Sequence, residues 1–217
     1  MTLDLREDVG RVVLRPVATP LPLGFLALVL ATTVFSAVQL GWVAPDQGRV
    51  PAITAVAATV PLQFAVAVMG FLARDPVAVT GMGLLAGTWA VVGLVTLTAV
   101  PGTVSPGLGV LLLTAGIGML VPAAGAVSSK IAPALVMALA GCRFAVTGVY
   151  QLDGSAAWKA AAGWTGLVLA VVALYTALAL QLEGGGERTV LPVGRRGAGR
   201  LPEAPELLRE PGVRAQL

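Results

Sequence analysis

Apolar residues dominate the chain from about residue 21 to 182, and the polar positions fall in short clusters that cut this region into stretches of helix length. The longest gap between charges runs from Pro76 to Ser129, 54 positions without Asp, Glu, Lys, Arg or His. A water-exposed surface of that size needs charge to stay solvated, whereas two successive bilayer-spanning helices do not. Punctuation by Pro, Gly, Asp and Ser predicts helices over 21–43, 51–74, 77–100, 107–127, 131–150 and 160–182. Prolines near several of these starts are tolerated because the first N–H groups of a helix lack intrahelical partners. Barrel strands would be about ten residues long and would alternate polar with apolar side chains, which these segments do not. The expected fold is an all-α, six-helix transmembrane bundle with short loops.

Composition changes this picture little. Hydrophobic residues make up 57% and charged residues 12% of the 217 positions, about half the usual charged share, and the mean hydropathy is +0.89. The lone cysteine, Cys142, excludes an intrachain disulfide. Charge placement is more telling. With six spans, Arg6, Arg11, Arg15, Arg74, Lys130, Arg188, Arg195, Arg196, Arg200, Arg209 and Arg214 share one side of the membrane. Only Arg49 and Lys159 mark the other, with Arg143 left inside a span. Eleven against two is a positive-inside bias, which puts both termini in the cytoplasm of a cell with the protein in its cytoplasmic membrane. The net charge of +3 is therefore topological and implies no nucleic-acid partner. Residues 1–18 read as a cytoplasmic segment without signal-peptide layout, 19–183 as the membrane domain, and 184–217 as a flexible cytoplasmic tail.

Catalytic parts are missing. The chain has no histidine, and no Asp or Glu falls within a predicted span. Metal sites, paired carboxylates and Ser-His or Cys-His arrangements thus lack components at membrane depth, so neither an enzyme nor a bound cofactor or metal is expected. The usual carboxylate or histidine proton relay is absent for the same reason. Arg143 stands out, about ten residues or 15 Å from the Asp153 end of its helix. A charge at that depth costs at least about 2.5 kcal/mol, so it faces the interior, a wet cavity or a snorkelling path. It is a fixed cation for an anion pathway or a structural arginine bonded to helix carbonyls. Ser36, Gln39, Gln63 and Thr80 are the remaining polar candidates, each able to bond a carboxylate or to join helices. Trp42, Trp158 and Tyr150 suit the interfacial aromatic belt. Close helix approach is offered by small residues four apart, Gly83 with Gly87 and Ala162 with Gly166.

Two motifs bracket the predicted bundle. Thr19-Pro20-Leu21-Pro22-Leu23-Gly24 precedes the first helix, and Gly186-Glu187-Arg188-Thr189-Val190-Leu191-Pro192-Val193-Gly194 follows the last. They resemble the two ends of the acetate uptake transporter family, the succinate–acetate permeases, whose motifs are Asn-Pro-Ala-Pro-Leu-Gly and Gly-Arg-Thr-Val-Leu-Pro-Ile-Gly. Ala162-Gly163-Trp164 looks like that family's start of helix six, and Gln63 and Trp89 also fall where similar residues stand in it. The resemblance spans residues 19 to 194 and marks a divergent member: Thr19 replaces the motif Asn, and Leu28 and Leu85 replace a Phe and a Tyr of the narrowest point.

The resemblance implies a ring-shaped homohexamer in the lipid bilayer with a path for acetate-like small carboxylates through each protomer. Substrate contacts are expected at Thr19, Pro20, Pro22, Leu23, Gly24, Gln39, Gln63 and Arg143. The constriction is expected at Leu28 and Leu85, with Leu139 or Ala140 as its third member. Pro20 and Pro22 would leave the helix start partly unwound, so that free N–H groups face an anion. The function expected is a transporter or channel for small monocarboxylates, with succinate and proton linkage left open. The alternative is a non-transporting membrane scaffold that kept the fold and lost the pore.

Overall fold

The computed structural model describes residues 19–186 and 190–196. The expected N-terminal segment 1–18, the motif residues Glu187, Arg188 and Thr189, and the tail from 197 onward lie outside the described residues. Six helical spans long and apolar enough to cross a membrane make up the bundle: α1 Leu21–Gln39, α2 Asp46–Leu72, α3 Pro76–Thr98, α4 Pro106–Val127, α5 Ile131–Asp153 and α6 Ala156–Gly184. Helical geometry continues past α6 to Gly186, so the expected boundary between membrane domain and tail at residue 184 falls inside a helix.

Local chemistry sets the ends. Asp75 caps α3, its Oδ1 accepting from the N–H groups of Val77 and Ala78 at 3.0 Å each, and Pro76 fills a position that needs no donor. Ser105 does the same for α4, accepting from the Leu108 N–H at 3.4 Å ahead of Pro106. At the end of α5, Gly154 takes a φ of 72°, a left-handed stop that any β-carbon would strain. Chain reversal at Gly41 (φ 74°) ends α1 at Gln39, short of the expected residue 43.

Two spans are not uniform. In α2 the turn Ala55–Thr59 is a π-helix just ahead of Pro61, which has no N–H to offer the carbonyl four residues back. In α4 the helix is interrupted at Met119, between Pro106–Gly118 and Leu120–Val127. Pro122 lies three residues on and explains the break in the same way.

Each span packs on its sequence neighbours and α1 closes the ring against α6. The closest approach is between α4 and α5. A β-carbon at Gly141 would lie 2.7 Å from the Gly116 carbonyl oxygen, and one at Gly148 would lie 2.9 Å from that of Gly109. The two pairs are seven residues, or two turns, apart on each helix, so the backbones run in contact along an antiparallel seam. The expected pair Gly83 and Gly87 plays no such part: Gly87 is exposed, with nothing within 4 Å of where a β-carbon would stand, and a β-carbon at Gly83 would meet only the Ala67 methyl. Ala162 and Gly166 do lie at a helix contact, where α6 meets α1 and α5. The bundle's outside is apolar, with Phe64, Phe71, Ile117 and Val121 all exposed, as lipid contact requires.

Replacing Gly141 with leucine drives a side chain into backbone that cannot yield. We expect G141L to lower Tm by about 5 °C or more, as overpacking a tight contact does, while G87L leaves it unchanged. Thermal unfolding of the detergent-solubilised protein, followed by size-exclusion chromatography, checks both.

Candidate functional site: a vestibule ending at Arg143

The end of the bundle carrying Arg49 and Lys159 opens into a cavity of about 110 Å³. Its polar lining includes Gln39, Arg49, Thr96, Ser105, Gln151 and Lys159. A deeper cavity of about 40 Å³ lies beneath it, sharing Phe35, Gln39, Thr96, Leu108 and Gln151 with the first. Its walls add Trp89, Arg143, Phe144 and Thr147. The only two basic residues expected on this side thus stand around the mouth, and Arg143, in the middle of α5, lines the deeper cavity.

Arg143 is 2% exposed. Its Nη2 donates to Gln39 Oε1 at 2.6 Å, and its Nη1 donates to the Ala162 carbonyl, so one side chain ties α5 to α1 and α6. Gly166 makes this fit, since a β-carbon there would lie 2.8 Å from Arg143 Nε. The indole of Trp89 packs between two phenyl rings, 5.4 Å from Phe35 and 5.8 Å from Phe144, and forms an aromatic wall beside the guanidinium. Gln151 is already engaged, its Oε1 accepting from the Ser105 N–H at 2.7 Å.

Below the deeper cavity the interior is closed. Leu28, Leu85 and Ala140 are all fully buried in one apolar cluster with Met82 and Met137. Leu139 only packs at the margin, so Ala140 takes the inner position of that pair. Gln63 is wholly buried, with neither amide atom hydrogen-bonded, and Trp89 Nε1, Ser36 Oγ and Thr19 Oγ1 are likewise buried without partners. Each of these buried polar groups without a protein partner carries a desolvation cost.

The proline motif departs from expectation. Pro20 is the N-cap and the helix begins at Leu21, so the start is wound rather than partly unwound. Pro22 and Gly24 are buried, and Gly24 leaves room for the Met82 thioether. Leu23 is 45% exposed and shares an outer stripe with Leu26 and Leu30, so it faces away from the interior. Thr80 is exposed and bonds the Pro76 carbonyl of its own helix. Tyr150 is not an interfacial anchor: it is buried and lines the vestibule, whereas Trp42 and Trp158 are exposed.

Sequence reasoning missed the opposite end. Residues 190–196 fold back onto the start of α5: the Ile131 and Ala132 N–H groups donate to the Gly194 and Val193 carbonyls at 3.1 and 3.0 Å, and the Arg196 N–H donates to Ser129 O at 2.9 Å. Val193 is 1% exposed, and Tyr175 Oη donates to Pro192 O at 2.9 Å. Glu183 pairs with Arg195 and lies 3.9 Å from Lys130. Burial, and then the neighbouring Arg195 charge, hold the Lys130 ammonium below the usual lysine range. The visible sequence signal is the Leu191-Pro192-Val193-Gly194 motif, which marks the exit from the last helix and gives no hint that it also caps another.

No family model matches the sequence, and no curated protein matches it. Among solved structures, the chain is similar to that of the bacterial acetate channel SatP, with a TM-score of 0.72 and 24% identity over 82% of this chain and 99% of that chain. The protein is thus a multi-pass helical membrane protein, and its fold is that of an acetate channel, as the terminal motifs implied.

Removing the carboxylate at the strap takes away the charge that Lys130 and Arg195 share. We expect E183Q to cost about 1–3 kcal/mol, the usual loss when a hydrogen-bonded charge loses its partner, and to speed tryptic cleavage at Arg195 and Arg196. Thermal unfolding and timed proteolysis check this.

Proposed function

We propose that the protein is a channel or transporter for small monocarboxylates of the acetate class, with one path through each protomer. The observation that carries this reading is the graded vestibule, from Arg49 and Lys159 at the mouth to the Gln39–Arg143 pair at the bottom, set in an acetate-channel fold. Such a funnel concentrates anions at its mouth and offers them a fixed cation at its base. Leu28, Leu85 and Ala140 then form a dry closure that opens by wetting. The charge bias supports a cytoplasmic membrane location with both termini inside. The exposed apolar faces are compatible with lipid and with a homo-oligomer, a hexamer by family resemblance. Succinate as a second substrate and linkage to protons belong to the same proposal.

The fully packed closure favours one competing reading, a scaffold that has lost its pore. Uptake of labelled acetate into proteoliposomes decides between them, with and without a proton gradient and with unlabelled carboxylates as competitors. We expect saturable uptake that acetate-like competitors reduce; protein of normal assembly that gives no uptake above empty liposomes is the scaffold result. L85T, which shortens the side chain and places a hydroxyl in the closure, should raise the rate severalfold.

A further inference from the structure

We propose that the Gln39 carboxamide is a built-in substitute for a carboxylate, and that Arg143 binds a small carboxylate monoanion which takes its place. The inference rests on reading the vestibule as the carboxylate's way in, and it begins with a missing charge. Among the described residues no carboxylate lies within the 4.0 Å ion-pair range of the Arg143 guanidinium. The described acidic residues, Asp46, Asp75, Asp153 and Glu183, all stand at span ends.

Two neutral oxygens, Ala162 O and Gln39 Oε1, are the acceptors the guanidinium has. A buried cation so served keeps most of its desolvation cost, and an anion relieves it. The carbonyl of Ala162 is fixed in the α6 backbone. Gln39 is different. It is the last helical residue of α1, it is only partly buried, and its side chain borders both cavities. It can therefore leave the guanidinium without unfolding anything, and a carboxylate oxygen arriving there adds an opposite charge to the hydrogen bond that the amide oxygen accepted.

The deeper cavity also sets the ligand class. At about 40 Å³ it holds roughly three water-sized groups, at about 10–15 Å³ each, which suits a one- or two-carbon carboxylate such as formate or acetate. Its aromatic wall of Trp89 and Phe144 suits a methyl group beside the charged end.

The test uses the full chain in detergent and acetate as the probe, with binding read by titration calorimetry and stability by thermal unfolding. R143Q should weaken acetate binding by roughly tenfold to a hundredfold, the worth of one to two hydrogen bonds to a charge. The decisive variant is Q39E, which gives the guanidinium a permanent internal partner. We expect it to be at least as stable as wild type yet to lose acetate binding by tenfold or more. Q39A removes the competitor and should bind acetate as tightly as wild type or more so. Should R143Q fail to fold, the two Gln39 variants decide alone. Acetate binding by Q39E equal to wild type, or loss of binding in Q39A, overturns the proposal. Parallel uptake assays separate it from the transport reading. Wild-type uptake with unchanged binding in Q39E rejects this site and leaves transport standing, whereas binding that follows the variants without any uptake keeps the site and rejects transport.

Discussion

Helices in lipid gain nothing by hiding one apolar side chain behind another, so this bundle depends on how closely its backbones can meet. The α4–α5 seam shows the constraint at its strictest, because at Gly109, Gly116, Gly141 and Gly148 a single added methyl would meet carbonyl oxygen. The same economy of volume recurs at Gly166, where it serves chemistry rather than packing alone. Omitting one β-carbon lets a guanidinium lie flat among three helices and reach acceptors on two of them. Close packing and the placement of the buried charge are one solution to one problem.

Polar groups are then sorted by what they can find. Most threonines in the spans turn back to their own helix, as Thr88, Thr96 and Thr176 do, and add little between helices. Thr59 is an exception, donating across to the Ala27 carbonyl at 2.9 Å. Arg143 donates to the Gln39 carboxamide across helices. Gln63, Trp89 Nε1 and Ser36 Oγ do not find protein partners, and they mark where the interior carries more polarity than its packing uses. In a bundle whose outer surface is so uniformly apolar, this residual polarity is confined to the inside.

The six spans are legible in the sequence because charge-free runs and Pro-Gly punctuation are one-dimensional signals, and caps such as Asp75 and Ser105 stand beside the helices they start. Arg143 is legible as an anomaly of depth. Its partner is not, since Gln39 lies 104 positions away and nothing in the local pattern couples the two. Facing is the weakest point. Spans that are apolar all round carry little amphipathic periodicity, so which of the 27 glycines touch a neighbour cannot be ranked by spacing. For the same reason position along the chain puts Tyr150 at the interface although it is buried, and the motif resemblance alone does not reveal that Leu23 is exposed.

The strap at residues 190–196 gives the chain a particular order of assembly. The first N–H groups of α5 find no acceptor in nearby sequence; their acceptors, Val193 and Gly194, are made more than sixty residues later. Until those residues emerge, α5 sits in the bilayer with its leading turn uncapped, and α6 must already be in place for the strap to reach it. Closure of the start of α5 thus waits for residues 193 and 194. A chain cut before Val193 carries open donors at the start of α5 and an uncovered apolar notch where that side chain belongs.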